Sequence, residues 1–187
     1  VWKDEAGLGQ HTSCKGISKA LLTAPASGDI KNIVYGINDD LIEASDTILC
    51  AASCTTNAIV PPLKVINDEY GIVSGHVETI HSYTNDQNLI DNYHSAERRG
   101  RSAPLNMVIT STGAAKAVAK VLPELAGKLT GNAIRVPTPN VSLAILNLEL
   151  GTEADRGTIN SYLRGLSVDS PLRDQLDYTS SEEIVSS

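Results

Sequence analysis

Phenylalanine is absent from the 187 residues, tryptophan and methionine occur once each, and aromatic residues make up only 4%. A core must therefore rest on Leu, Ile, Val and Ala, and the 41% hydrophobic content is enough to build one. No apolar run reaches the roughly 20 residues that a membrane span requires. The N-terminus also lacks the basic-then-apolar layout of a secretory signal, so no membrane partner is expected. Positive charge is in deficit, with 15 Lys and Arg against 22 Asp and Glu and a net charge of -7. That balance argues against a general nucleic-acid or anionic-membrane binder, and any anion site must be local. Cysteine is scarce: Cys14, Cys50 and Cys54. A small odd number suits a reducing, cytoplasmic setting better than a disulfide scaffold. Cys50 and Cys54 have no partner at zinc-site spacing. His76 and His81 fall on opposite faces of a strand, so no metal site is expected.

What is present reads as an α/β chain. The apolar runs Ile17–Thr23, Asn32–Gly36 and Thr47–Ala51, separated by turn-forming residues, suggest three strands of a buried sheet. Gly7-Leu8-Gly9 lacks the preceding strand and third glycine of a dinucleotide fingerprint, and reads as a helix-to-loop turn. Ile59, Leu63, Ile66 and Tyr70 share one helical face, Gly71 is a natural stop, and Pro61 and Pro62 should kink the helix or loosen its first turns. Gly75–Tyr83 alternates as a strand. Residues 84–105 form a polar loop, Thr112–Leu122 a helix and Val141–Leu150 a long strand. One or two short helices are expected around Gly157–Arg164 and Leu172–Leu176, and a division of the chain is expected near Ala52.

Cys54 follows an apolar strand and opens a helix. There, unpaired N–H groups and the positive end of the helix dipole favour a thiolate. A buried, inert cysteine is the bland alternative. His81, at a strand end, has the chemistry to take and return a thiol proton, although a lone histidine there is commonly a surface residue. Ser53, Thr55, Thr84 and Thr112 are hydroxyls at element boundaries, and Thr112-Gly113 opens a helix onto free backbone donors. Arg99 and Arg135 offer forked donors to anions. Helix caps and solvated arginines account for the same residues.

Four segments together resemble the phosphorylating glyceraldehyde-3-phosphate dehydrogenase family: ASCTTN at Ala52–Asn57, HSYTNDQ at His81–Gln87, STGAAKAVAKVLPELAGKLTG at Ser111–Gly131, and RVPTPNVS at Arg135–Ser142. The resemblance implies that Cys54 is the catalytic cysteine and His81 its general base. Ser53, Thr55, Thr84, Thr112, Gly113 and Arg135 match positions that bind the substrate and its phosphates. Arg99 matches the arginine of the inorganic-phosphate site, and Thr23 matches a residue near the nicotinamide of NAD. It further implies a thiohemiacetal and a thioester on Cys54, glyceraldehyde 3-phosphate and inorganic phosphate as substrates, and a homotetramer.

By the same resemblance, residues 1–52 correspond to the tail of a Rossmann-type NAD-binding domain. Residues 53–187 then correspond to an α+β catalytic domain with a mixed or antiparallel sheet, stopping before the family's last strand and terminal helix. Most of the NAD site is expected to lie outside this chain. Ala58 stands where the family commonly has a second cysteine, and Pro62 adds a second proline. Competing readings are the sister activity on erythrose 4-phosphate, a catalytically incomplete scaffold, and a cysteine hydrolase, for which no third orienting residue is evident.

Overall fold

The computed structural model describes residues 2–185. The fold is α/β, with a two-stranded parallel sheet in the first fifty residues and a four-stranded mixed sheet after them. Helix α1 (Glu5–Thr12) starts at Asp4, whose carboxylate accepts the Gly7 N–H at 2.7 Å. Gly7 and Gly9 lie inside this helix, not in a helix-to-loop turn. The Leu8 N–H bonds the Asp4 carbonyl, and the helix closes only where the Ser13 N–H reaches the Gly9 carbonyl, both at 3.0 Å.

Strands β1 (Ala20–Leu22) and β2 (Ile48–Cys50) pair in parallel. The expected strand at Asn32–Gly36 does not form; the segment makes one bridge, Asn32 to Cys50, and turns. Asn38 explains the difference. Its side chain accepts the Val34 N–H at 2.8 Å and donates to the Asn32 carbonyl at 2.9 Å, using backbone groups that a strand would need.

Helix α2 (Cys54–Tyr70) is capped by Ser53, which has an extended backbone and whose Oγ accepts the Thr56 N–H at 3.0 Å. It stops at Gly71, which adopts φ 67, a left-handed conformation that disfavours side chains with a Cβ. Ile59, Leu63 and Tyr70 are buried and Ile66 is half-buried, as their helical spacing predicts. The helix runs through Pro61 and Pro62 without ending, and Pro61 is fully buried in the core. The first turn is not loosened, because the Ser53 cap and the Asn57 side chain both hold it.

Strand β3 (Ile72–Ser82) is central in the order β4-β5-β3-β6, with β4 (Val108–Thr110), β5 (Leu129–Val136) and β6 (Ser142–Leu150). It runs parallel to β5 and antiparallel to β6, and β4 is antiparallel to β5. Helices α2 and α3 (Ala114–Val121) pack on the face bearing Val77, with Ile59, Val60, Leu63, Val118 and Leu125 in one core cluster. Helix α4 (Arg156–Asp169) is longer than its sequence signal suggests and starts at an Asp155 cap. It is tied to α2 through the Tyr162 hydroxyl, which donates to the Val65 carbonyl at 3.2 Å. Leu172–Leu176 forms turns rather than a helix.

The 84–105 loop is not structureless. It contains two short 3-10 turns, Glu97–Gly100 and Ala103–Leu105, and folds back on itself. The Asn88, Asn92 and Ala103 N–H groups bond the carbonyls of Arg99, Gly100 and Asn88 at 2.9–3.0 Å. Gly100 permits this: a Cβ there would lie 2.4 Å from the Asn92 carbonyl oxygen.

Candidate active site

Helix α2 and strand β3 form a hairpin reversed at Gly71. The helix rises about 24 Å over its length, and β3 returns about 30 Å by His81. The two chain lengths bring His81 level with Cys54. The sulfur of Cys54, exposed at the helix start, lies 3.5 Å from His81 Nε2. His81 is 7% exposed and Thr79, on the same strand face, is 2% exposed. Cys54, Thr55, His81 and Thr84 line one cavity of about 490 Å³ with Tyr83 and the 139–144 segment.

Two backbone strains lie close in sequence to the lining residues, one before Cys54 and one at Val141. Ala52 has φ 58 and Val141 has φ 66, a region that costs non-glycine residues about 1–3 kcal/mol each. Val141 lines the cavity, and its carbonyl accepts the Ser82 N–H at 3.2 Å.

The far side of the His81 ring is also held. Nδ1 lies 2.8 Å from the Ser82 carbonyl oxygen and 2.8 Å from Arg135 Nη1, which itself donates to the Ser82 carbonyl at 2.9 Å. His81 and Arg135 are register partners on the parallel strands β3 and β5. The contacts allow two neutral tautomers. With Nδ1–H donating to Ser82, Nε2 is free to accept from the thiol. With Nδ1 accepting from Arg135, Nε2–H points at the sulfur. Burial pushes His81 below the ordinary imidazole value; the Ser82 carbonyl opposes this, and the Arg135 charge adds to it. Burial also lowers Arg135 from the ordinary guanidinium range, as does the neighbouring Arg99 charge, while Cys54 and Asp86 act in the opposite direction.

Arg99 sits beyond Arg135, paired through Nη1 with Asp86 and donating from Nε and Nη2 to the Thr110 hydroxyl at 3.1 and 2.9 Å. The Thr112 hydroxyl accepts the Ala114 N–H at 3.1 Å, and Gly113 is the exposed cap of α3. Ser53 uses its hydroxyl on Thr56, both as a cap and through a 2.7 Å contact with the Thr56 hydroxyl. Thr23 is exposed just past the carboxyl end of β1. The structure thus gathers Cys54, Thr55, His81 and Thr84 at one cavity and joins Arg135 to it through His81. Ser53, Arg99, Thr112, Gly113 and Thr23 do not line that cavity.

A family described as "Glyceraldehyde 3-phosphate dehydrogenase, C-terminal domain" matches residues 53–187. The chain belongs to the glyceraldehyde-3-phosphate dehydrogenase family. It is 66% identical to a glyceraldehyde-3-phosphate dehydrogenase-like protein of Pseudomonas aeruginosa, over 99% of this chain and 40% of that protein. It is 49% identical to the glyceraldehyde-3-phosphate dehydrogenase of Mycolicibacterium smegmatis, over 87% of this chain and 48% of that protein. It is 45% identical to that of Borreliella burgdorferi, over 98% of this chain and 55% of that protein. The chain therefore spans about half the length of these relatives.

Sequence reasoning missed three groups at this member's site: the Ser82 carbonyl behind His81, and Asp86 and Thr110 around Arg99. Asp86 lies within the HSYTNDQ segment, and its charge near a run of arginines was an available signal. The Ser82 carbonyl carries no side-chain signal at all. Among the described residues, no helix is long and apolar enough to cross a membrane.

Proposed function

We propose that this protein carries the catalytic centre for NAD-dependent oxidative phosphorylation of glyceraldehyde 3-phosphate to 1,3-bisphosphoglycerate. The observation that carries the reading is the 3.5 Å approach of Cys54 Sγ to His81 Nε2 at a helix N-terminus, beside an open cavity, in a chain of this family. His81 accepts the Cys54 proton, and the sulfur bonds to the aldehyde carbon. The carbonyl oxygen gathers negative charge within reach of the Cys54 N–H, which has no intrahelical partner in the first turn. His81 returns that proton to the oxygen, giving the hemiacetal hydroxyl, and takes it back as the carbon is oxidised to the thioester. A phosphate oxygen then adds at the thioester carbon, the C–S bond breaks, and the sulfur departs as thiolate beside His81.

NAD, when bound, supplies the hydride acceptor for the oxidation. The groups available to hold its nicotinamide end are Thr23 and the carboxyl ends of the parallel strands β1 and β2, where open parallel sheets bind ligands. Cys50 draws these ends together, since its sulfur lies 3.0 Å from the Ala24 carbonyl oxygen. Thr55 and Thr84 offer hydroxyls to the substrate, Arg135 a guanidinium to its phosphate, and Arg99, with the Thr112-Gly113 helix start, a second anion site for inorganic phosphate. The same reading includes a division into a cofactor-side segment, 1–52, and a catalytic segment, 53–187. It also includes self-association as a tetramer and a cytoplasmic location.

The test is NADH formation by the native full-length protein given the aldehyde, NAD and phosphate, with erythrose 4-phosphate as a parallel substrate. NADH formation that requires Cys54 and prefers the triose supports the proposal. Activity surviving Cys54→Ser sinks the nucleophile assignment, and a preference for the tetrose overturns the substrate.

A further inference from the structure

The segment leading into Cys54 is clamped by two side chains that take no part in the proposed chemical steps. Ala52 sits at φ 58 and is 5% exposed. Its N–H donates to the sulfur of the fully buried Cys50 at 3.2 Å, while the carbonyl of the same peptide group, that of Ala51, accepts from Asn57 Nδ2 at 2.7 Å. Both ends of this peptide plane are therefore fixed. The same Asn57 amide also donates to the Ser53 carbonyl at 2.9 Å. That carbonyl belongs to the peptide group whose N–H is the Cys54 N–H, so one side chain sets the relative orientation of two peptide planes.

We infer that Asn57 is a positioning residue for the Cys54 N–H, with Cys50 as its counterpart behind the strained Ala52 turn. The inference rests on Cys54 acting as the nucleophile. Ser53 cannot do this job, because its hydroxyl is spent on Thr56 and reaches neither the Ala51 carbonyl nor the Ala52 N–H. Asn57 is exposed and lies outside the core cluster, so its side chain can be shortened without opening a cavity. Loss of the amide frees the Ala51 carbonyl to turn toward water and leaves the Ser53 carbonyl held only by the Asn57 backbone N–H at 2.9 Å. The Cys54 N–H is then aimed less firmly at the developing oxyanion, while the sulfur stays tethered by the helix and His81.

The consequence is a split between two reactions of one thiol. Alkylation by iodoacetamide needs only the nucleophilic sulfur, whereas acylation by p-nitrophenyl acetate also builds an oxyanion. In native full-length protein, Asn57→Ala is expected to slow the acylation burst about tenfold, a smaller effect than outright removal of an oxyanion donor. Alkylation of Cys54 should change less than about twofold, and melting temperature should stay close to that of the parent. Cys50→Ala is expected to give the same split more weakly, and Cys50→Ser, which keeps an acceptor for the Ala52 N–H, to restore the parental ratio. If acylation and alkylation fall together, or neither falls, in Asn57→Ala, the inference is overturned. Failure of the underlying nucleophile assignment looks different: the burst of the parent protein then persists in Cys54→Ser.

Discussion

Around Cys54 the sulfur and the first two helix N–H groups have few protein partners, whereas both arginines are already engaged by neighbouring groups. Among the described residues the sulfur's one hydrogen-bond partner is the His81 ring, and the Cys54 and Thr55 N–H groups have no intrahelical acceptor, while that of Thr56 is taken by the Ser53 hydroxyl. Arg99 is bound to Asp86 and Thr110, and Arg135 to His81 and Ser82. On the proposed reading, the covalent half of the site is therefore assembled in advance, while the Arg99 side of the anion half is closed on itself. A phosphate arriving there competes with Asp86 for Arg99, while Arg135 is engaged through Nη1 alone, by the His81 ring nitrogen and the Ser82 carbonyl. Because Arg135 Nη1 contacts His81 Nδ1, drawing Arg135 toward a phosphate favours the tautomer in which Nδ1–H donates to Ser82 and Nε2 can accept the thiol proton. Anion binding and base readiness thus share one hydrogen bond.

The largest effects should come from the open half. Cys54→Ser is expected to reduce the acylation burst by a factor on the order of 10³ or more, because the hydroxyl supplies almost no anionic nucleophile at neutral pH. His81→Asn should cost about 10²–10⁴-fold, the usual range for a general base. The decisive comparison in iodoacetamide labelling, read by mass spectrometry, is Cys54 against Cys14, since both are exposed and Cys50 is protected by burial. Equal labelling rates for Cys54 and Cys14 would remove the case for an activated thiol.

This half was also the more legible in the sequence, for a physical reason. Cys54, the helix spacing of Ile59 to Tyr70, the Gly71 reversal and the alternation of β3 are all local signals, and together they bring His81 to Cys54 across one hairpin. Arg135 reaches His81 through parallel pairing across more than fifty residues, and no periodicity encodes which strands become neighbours. The fold errors share this origin. Asn32–Gly36 carries strand-like composition, but a side chain at Asn38 redirects its hydrogen bonds. The loop 84–105 lacks a period because pairings such as Asn88 with Arg99, not repetition, order it. The family resemblance supplied the pairing of Cys54 with His81, which the local signals left weak, and the roles of Arg99, Thr112 and Thr23 that spacing alone left open.

Arg135→Gln tests the shared hydrogen bond and should give the next largest effect. Removing a charge-assisted partner worth about 1.5–3 kcal/mol should raise KM for the aldehyde phosphate about ten- to a hundredfold. It should also move the acid limb of the acylation rate profile to higher pH. The sign follows from the causes: burial holds His81 low and the Arg135 charge holds it lower, so removing that charge lets the ring take up a proton at higher pH. A stopped-flow pH series with p-nitrophenyl acetate, which carries no phosphate, isolates this second effect. An acid limb that stays in place or moves down shows that Arg135 does not act on the ring.

The smallest expected effect bears most directly on the closed half. Asp86 is about half-exposed, 54% in its side chain, and its pair with Arg99 is therefore well screened. Such pairs contribute about 0.2–1 kcal/mol. If Asp86 competes with inorganic phosphate for Arg99, Asp86→Asn should lower KM for phosphate by up to about fivefold, the ratio that this energy sets. KM for the aldehyde should move less, since Arg135 keeps its own partners. Arg99→Ala should raise KM for phosphate in the same assay. The opposite result for Asp86→Asn, a higher KM for phosphate, has a distinct meaning. It indicates that Asp86 orients Arg99 instead of occupying it, with the Thr110 hydroxyl too weak to hold the guanidinium alone. Steady-state rates against phosphate concentration, measured at constant ionic strength so that screening does not change, separate the two cases.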